Sequence, residues 1–295
     1  MPVNVELVLD ARAELGESPV WDDRRQRLLF VDILLGHVHE FDPLTGHDRI
    51  FQVGQPVGAV ALAAAGDWVI AARDGFFRLN PESGEVTLIA HVEMEVAGNR
   101  MNDGAVDAGG RFWAGTMASV GGRDRGTLYR LDPDGSVRQM LAPVSTSNGI
   151  DWSPDSRLMY YVDTPLSRID AFNFDLATGE ISFRRTFANI PTASGYPDGL
   201  VVDAEGFIWV GLWQGGALHR YSPNGRLLGV VNLPVSLVTK CAFGGPNLDD
   251  LYITTARIGV DEVKQRDVVA GGVFLVKPGV CGRRANRYGA VAPGR

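Results

Sequence analysis

Short apolar runs separated by turn residues repeat along the whole chain. Six segments each end in an apolar strand after a turn-rich stretch, and the clearest pair is DAGGRFWAGT at 107–116 and DAEGFIWVGL at 203–212. A second apolar run with a turn follows each of them, as in TLYRLDPDG and ALHRYSPNG, which predicts a hairpin. No long window keeps apolar residues at helical spacing. The pattern therefore predicts an all-β chain.

The spacing of the repeats decides the architecture. Successive repeats begin about 40 to 50 residues apart, the length of a four-stranded propeller blade. Six repeats predict a six-bladed β-propeller with four-stranded blades. The last repeat breaks off after Val280 while the strand Val5–Leu9 has no repeat of its own, so the N- and C-terminal strands are expected to pair and close the ring. We predict one propeller domain over residues 1–281, and a loosely ordered tail over 282–295 because that segment has little to bury.

Composition restricts the partners. The 36 glycines fit many tight turns, and 45% apolar with 21% charged residues is typical of a soluble globular protein. Neither a membrane helix nor a signal peptide is apparent, so a cytoplasmic protein with reduced cysteines is expected. The net charge of −7 is dispersed and no basic stripe occurs, which argues against nucleic acid and a membrane as partners. A small molecule is the expected ligand, and a monomer is compatible with the sequence, which does not specify the oligomeric state.

A polar ring is predicted at one end of the central channel. Aligning the six inner strands places their first residues in register, and in a propeller these face the channel. The aligned residues are Glu17, Val57, Asp103, Asn148, Asp198 and Lys240. Crowded carboxylates in a desolvated channel need a counter-ion, and oxygen ligands favour Ca²⁺, Mg²⁺ or Mn²⁺ over zinc. We therefore predict one divalent cation, with Ca²⁺ preferred and Mn²⁺, Mg²⁺, Zn²⁺ and Fe²⁺ as alternatives.

A simpler interpretation exists for each ring residue alone. Asp-Gly and Asn-Gly are common turn dipeptides, so the three at 103–104, 148–149 and 198–199 could merely be turns. The register across repeats favours the metal site for Glu17, Asn148 and Asp198 together, whereas Asp103 could instead support Asn102. Nucleophile elbows, phosphate loops and zinc-protease motifs are absent, so covalent catalysis has no visible nucleophile.

Several segments in order resemble the regucalcin and gluconolactonase family. They are LGESPVW, NRMNDGAVDAGGRFWAGTM, SNGIDWS, YPDGLVVDAEGFIWVG and CAFGGPNLDDLYITTAR, and they cover nearly the whole chain. The resemblance implies a six-bladed propeller with one divalent cation. It places the metal ligands at Glu17, Asn148 and Asp198, and the substrate-binding residues at Arg100 and Asn102.

The resemblance also implies an activity, the hydrolysis of a sugar-acid lactone such as glucono-, xylono-, arabinono- or galactonolactone. Asp198 is then the expected general base, with a metal-bound hydroxide or Asp103 reached through one water as the alternatives, and Asp103 and Lys240 are added to the predicted substrate-binding set. An acidic residue that some animal members use for the sugar would fall at 118–120, where this chain has Ala-Ser-Val. Two alternatives are a calcium-binding regulator without a substrate and a metal-dependent phosphotriesterase.

Overall fold

Twenty-four strands form six four-stranded antiparallel sheets in a computed structural model of the protein, which describes residues 4–120, 122–259 and 267–290. The sheets are the blades of a six-bladed β-propeller, as predicted. Blade 1 consists of β2 Gly16–Asp22, β3 Arg27–Asp32, β4 His37–Asp42 and β5 His47–Gln52. Blade 2 consists of β6 Val57–Leu62, β7 Trp68–Ala72, β8 Gly75–Leu79 and β9 Val86–His91.

The middle blades continue the same order from the channel outward. Blade 3 consists of β10 Asn99–Val106, β11 Phe112–Ala118, β12 Gly126–Leu131 and β13 Val137–Val144. Blade 4 consists of β14 Ser147–Trp152, β15 Leu158–Asp163, β16 Arg168–Phe174 and β17 Ile181–Asn189. Blade 5 consists of β18 Tyr196–Val202, β19 Ile208–Trp213, β20 Ala217–Tyr221 and β21 Leu227–Asn232. Two short 3-10 helices lie at Thr164–Leu166 and Thr192–Ser194.

Blade 6 is built from both ends of the chain. It consists of β22 Val238–Gly244, β23 Asp250–Thr255, β24 Val273–Val276 and, outermost, β1 Glu6–Leu9. Strand β1 pairs antiparallel with β24, and Glu6 lies opposite Leu275. The predicted closure of the ring by the N- and C-terminal strands is therefore confirmed. Within the described ranges, no helix is long and apolar enough to cross a membrane.

A repeated aspartate explains why the strongest sequence repeat folds as a hairpin. Asp107 Oδ1 accepts a hydrogen bond from the Gly109 amide at 2.8 Å, and its Oδ2 accepts one from Trp113 Nε1 at 2.8 Å. Asp203 does the same in blade 5, where Trp209 Nε1 donates at 3.1 Å. One carboxylate thus fixes both the turn and the buried tryptophan of the next strand. The apolar core itself lies mainly between neighbouring blades, since one cluster combines Leu29 and Val31 of blade 1 with Val60 of blade 2.

The C-terminal strap, residues 281–290, crosses the end of the channel opposite the predicted ring. It contacts every blade through hydrogen bonds to Asp22, Leu62, Val106, Asp151, Val202 and Leu248. The predicted loosely ordered tail is therefore wrong for residues 282–290, and residues 291–295 lie outside the described part of the chain. The segment is held by backbone bonds and by arginine side chains, which a measure of hydrophobicity does not detect.

A cavity of about 110 Å³ fills the channel between the ring and the strap. Its wall comes from the inner strands beyond the ring, including Val60, Ile150 and Leu200, and its floor from Arg283–Asn286 of the strap. The strap thus closes one end of the channel and leaves the ring at the other.

Candidate metal and substrate site

Three oxygen-bearing side chains lie together near the starts of strands β2, β14 and β18. Glu17, Asn148 and Asp198 are buried, with exposed fractions of 3%, 5% and 6%. The Asp198 carboxylate lies close enough to Glu17 and Asn148 for both side chains to influence its pKa. These are the three residues that the sequence predicted as metal ligands, and the structure groups them although they come from blades 1, 4 and 5.

Asn148 presents an oxygen to this group. Its Nδ2 donates to Thr164 Oγ1 at 2.9 Å, and the Thr164 hydroxyl donates in turn to the Pro197 carbonyl at 2.9 Å. Because the hydroxyl hydrogen is used, Thr164 can only accept from the amide nitrogen, which fixes the orientation of the amide. Asn148 Oδ1 is then buried without a protein partner. A buried unpartnered oxygen beside two carboxylates fits a cation ligand.

Burial and nearby negative charge raise the proton affinity of both carboxylates. Burial raises the pKa of Asp198 to about 8, and the charge of Asp103 adds to this effect. Burial also raises the pKa of Glu17 well above its ordinary value, with Asp198 and Asp103 contributing. A divalent cation would remove the repulsion that causes part of these shifts.

The site is not a cluster of acidic residues alone. Within the described ranges, no group of three or more His, Cys, Asp or Glu side chains is arranged to hold a metal ion. A cation here would take two carboxylates together with the Asn148 amide oxygen. Oxygen donors of this kind suit Ca²⁺, Mg²⁺ or Mn²⁺ better than zinc.

Arg100 and Asn102 reach the same mouth from strand β10. Arg100 Nη1 donates to Asn102 Oδ1 at 2.7 Å and to the Met101 carbonyl at 3.0 Å. Asn102 Nδ2 donates to the Ser147 carbonyl at 2.8 Å, next to Asn148. Burial lowers the pKa of Arg100 to about 10, while the charges of Glu17 and Asp198 oppose that shift. Arg100 therefore stays cationic at neutral pH and lies within electrostatic range of both carboxylates.

Asp103 and Lys240 are present at the site but bind each other. Lys240 Nζ lies 2.5 Å from Asp103 Oδ1 and 3.3 Å from the Gly104 carbonyl. Both residues were predicted to bind substrate, and the ion pair engages the ammonium group that this role would need. Thr164, which orients Asn148, was not predicted, because it follows the second strand of blade 4, β15, and lies outside the inner-strand segments that were aligned.

The register of the ring differs from the sequence alignment in two blades. In the structure each ring residue lies the same distance before the turn that ends its strand, as Asp198 does before Asp203 and Asn148 before Ser153. The same separation selects Gly58 in blade 2 and Asn102 in blade 3, so the placement of Val57 and Asp103 in the ring is wrong. Each inner strand carries a β-bulge at this level, as between Met101 and Gly104 in blade 3. Because the bulges of blades 3, 4 and 5 span the same number of residues, Asn102 corresponds to Asn148 and Asp198, and Asp103 lies one position later.

Blade 2 contributes no side chain to the ring, because a side chain at this position would collide with blade 3. A Cβ atom on Gly58 would lie 2.5–2.6 Å from backbone atoms of Met101 and Asn102 in blade 3. Val57 instead is fully buried in the apolar cluster shared by blades 1 and 2. The ring therefore has five side chains and one glycine that lets strand β10 approach.

The fold and the site define a class, a six-bladed propeller with buried oxygen ligands and an arginine at the channel mouth. The model of the SMP-30/Gluconolactonase/LRE-like region matches residues 15–257. Regucalcin of Xenopus laevis is 40% identical over 281 residues, 93% of this chain and 94% of that protein. The chain belongs to the SMP-30/gluconolactonase/LRE-like family, which confirms the resemblance and supports a lactonase-type or calcium-binding function.

Two solved structures are similar over nearly the whole length. A calcium-binding protein, regucalcin, of Agrobacterium tumefaciens has a TM-score of 0.92 and 30% identity, with 98% of each chain covered. A luciferin-regenerating enzyme has a TM-score of 0.92 and 32% identity, with 98% of this chain and 100% of that chain covered.

Proposed function

We propose that the protein is a metal-dependent lactonase that hydrolyses a sugar-acid lactone to the open acid. One observation carries this proposal: a cationic arginine and an asparagine lie beside the candidate metal ligands in one buried mouth. A site that only binds an ion has no use for Arg100 and Asn102. Family membership supports the same activity.

The proposed cation site consists of Glu17, Asn148 and Asp198, with Ca²⁺ as the preferred ion. When bound, a divalent cation supplies a Lewis acid that polarises an ester carbonyl. Arg100 stabilises the negative charge that develops on the carbonyl oxygen, and Asn102 holds a hydroxyl group of the sugar ring. Both side chains are fixed by hydrogen bonds, so little reorganisation is needed.

Asp198 is the proposed general base. Burial raises the pKa of its carboxyl group, and the positive charge of a bound cation would lower that pKa again, so the carboxylate would be ionised and able to accept a proton. It would take the proton from the attacking water and return it to the ring oxygen as the lactone opens. Asp103 is less suited to this role because one of its oxygens already binds Lys240.

A substrate panel tests the proposal. Chelator-treated protein is incubated with glucono-, xylono-, arabinono- and galactonolactone, with and without added Ca²⁺ or Mn²⁺. We expect hydrolysis of at least one lactone that depends on the added ion and stops when chelator returns. If the protein binds Ca²⁺ tightly but opens none of the four, the calcium-binding alternative replaces the lactonase.

Substitutions at Arg100 and Asn102 should impair turnover of the lactone without affecting cation binding. Alanine at either position is expected to reduce kcat/KM for the lactone by about tenfold or more without weakening cation binding, because neither side chain is a proposed ligand. Steady-state kinetics and titration calorimetry measure the two effects. If both variants stay within about threefold of the parent in kcat/KM, the lactone binds elsewhere.

A further inference from the structure

Lys240 and Asp103 meet across the channel from opposite sides of the ring. Strand β10, which carries Asp103, packs between β6 and β14, whereas β22, which carries Lys240, packs between β18 and β2. Lys240 is 5% exposed and Asp103 is 1% exposed, and their charged atoms lie 2.5 Å apart. The pair is therefore a buried ion pair at the centre of the propeller, directly above the cavity.

The neighbouring strand is shaped to admit the lysine. A Cβ atom on Gly199 would lie 2.4–2.6 Å from the Cβ, Cγ and Cδ atoms of Lys240. Gly199 directly follows Asp198, so the stem of the lysine passes beside one of the proposed ligands. The aliphatic chain crosses at this level only because the residue there is glycine.

The pair leaves one carboxylate oxygen open. Asp103 Oδ1 accepts from Lys240 and from the Gly104 amide at 2.6 Å, whereas its Oδ2 is buried with no protein partner. Asp103 is thus a third carboxylate near Glu17 and Asp198, close enough to raise the pKa of both. Although burial opposes it, the charges of Asp103 and Glu17 raise the pKa of Lys240, which keeps the lysine cationic.

The buried site therefore combines three carboxylates with the ammonium group of Lys240. Three buried carboxylates would attract divalent cations strongly, yet with Asp103 held by Lys240 they do not form one metal-binding group within the described ranges. Lys240 supplies a fixed positive charge that neutralises Asp103 and repels a second cation. Charges a few ångströms apart in a buried site interact strongly because water screens them poorly.

We propose that the Lys240–Asp103 ion pair sets the cation affinity of the site, with Lys240 as a built-in counter-charge that keeps Asp103 out of the ligand set. This inference rests on the proposed cation site. Both residues act as positioning and charge-setting groups through the ligands rather than on the lactone.

The pair predicts opposite effects for its two members. In Lys240→Met the counter-charge is lost, so the affinity for Ca²⁺ and Mn²⁺ is expected to rise by about tenfold or more. In Asp103→Asn the lysine faces the ligands unpaired, so the affinity is expected to fall by about tenfold or more. The double variant removes both charges and should return to within about threefold of the parent.

Calorimetric titration of chelator-treated, full-length protein with each metal measures these affinities. Lys277→Met is the matched control, because Lys277 pairs with Asp250 at 2.7 Å on the surface and should leave the affinity unchanged. Opposite shifts that cancel in the double variant support the inference. Shifts in one direction, or affinities equal to the parent in all variants, overturn it, since a purely structural pair would not reverse sign.

Two further outcomes are distinguishable. If the parent protein binds neither metal, the proposed cation site fails, and the inference that rests on it is overturned as well. If Lys240→Met does not fold, Asp103→Asn and the double variant decide, because the double variant leaves no lone buried charge. A higher cation affinity in the double variant than in Asp103→Asn then supports the inference, and equal affinities in these two variants overturn it.

Discussion

Replacing Asp198 with asparagine is expected to reduce lactone turnover by about 10²–10⁴-fold, the usual contribution of a general base. The same change should weaken cation binding, because it removes one of two carboxylates. Glu17→Gln and Asn148→Ala should weaken cation binding too, since three protein ligands leave no redundancy. Kinetics on the best lactone of the panel and metal titration measure both effects.

Asp203→Asn provides the control for Asp198→Asn. Asp203 lies further along the same strand and hairpin, where it holds the turn and Trp209. Its replacement should lower the melting temperature but preserve cation affinity. Circular dichroism should report a β protein for every variant, because none of the replaced residues belongs to the apolar clusters that join the blades. Full cation affinity in two of the three ligand variants would exclude the assignment of the site.

Ending the chain at Cys281 is expected to lower the melting temperature by about 10 °C or more. The deletion removes the ion pair of Arg283 with Asp151 at 3.0 Å, the hydrogen bond of Asn286 to blade 3, and buried Tyr288, whose amide donates to Leu62 at 2.8 Å. Each such hydrogen bond contributes about 1 kcal/mol, and burial of an aromatic ring contributes more. Differential scanning calorimetry measures the change.

Ending the chain at Ala290 separates the strap from the residues beyond it. That shorter deletion leaves every described contact of the strap in place, so the difference in melting temperature between the two deletions measures what the strap contributes. A melting temperature within about 2 °C of the parent for the longer deletion would mean that the strap adds little to stability.

The sequence predicted the features that repeat and missed those that do not. Blade number and ring closure follow from spacing, and Glu17, Asn148 and Asp198 share one separation from their turns. The error at Val57 arose because blade 2 has a glycine where other blades have a polar side chain, so the apolar neighbour was aligned instead. The error at Asp103 arose because the Asp-Gly dipeptide of blade 3 comes one residue later, relative to the bulge, than Asn148-Gly149 and Asp198-Gly199 do in blades 4 and 5.

Ion pairs between residues far apart in the sequence could not be predicted from the residues around them. Lys240 and Asp103 are 137 residues apart, and neither carries a neighbouring charge that marks it as half of an ion pair. The strap likewise has few apolar residues, yet Arg283 and Arg287 find acidic partners in blades 4 and 1. Such contacts depend on the closed ring, which brings distant segments together only after the blades have formed.

Closure of blade 6 by β1 and β24 has a kinetic consequence. Residues 6–9 are synthesised before residues 273–276 and find their partner only when that strand has been made. The seam is therefore a contact of very long range, and such contacts form slowly. Glu17 and Asp198 lie in the blades on either side of blade 6, so an ion bound by both would span this seam and oppose its reopening. A metal ion at this position would slow unfolding of the ring, apart from any role in the proposed reaction.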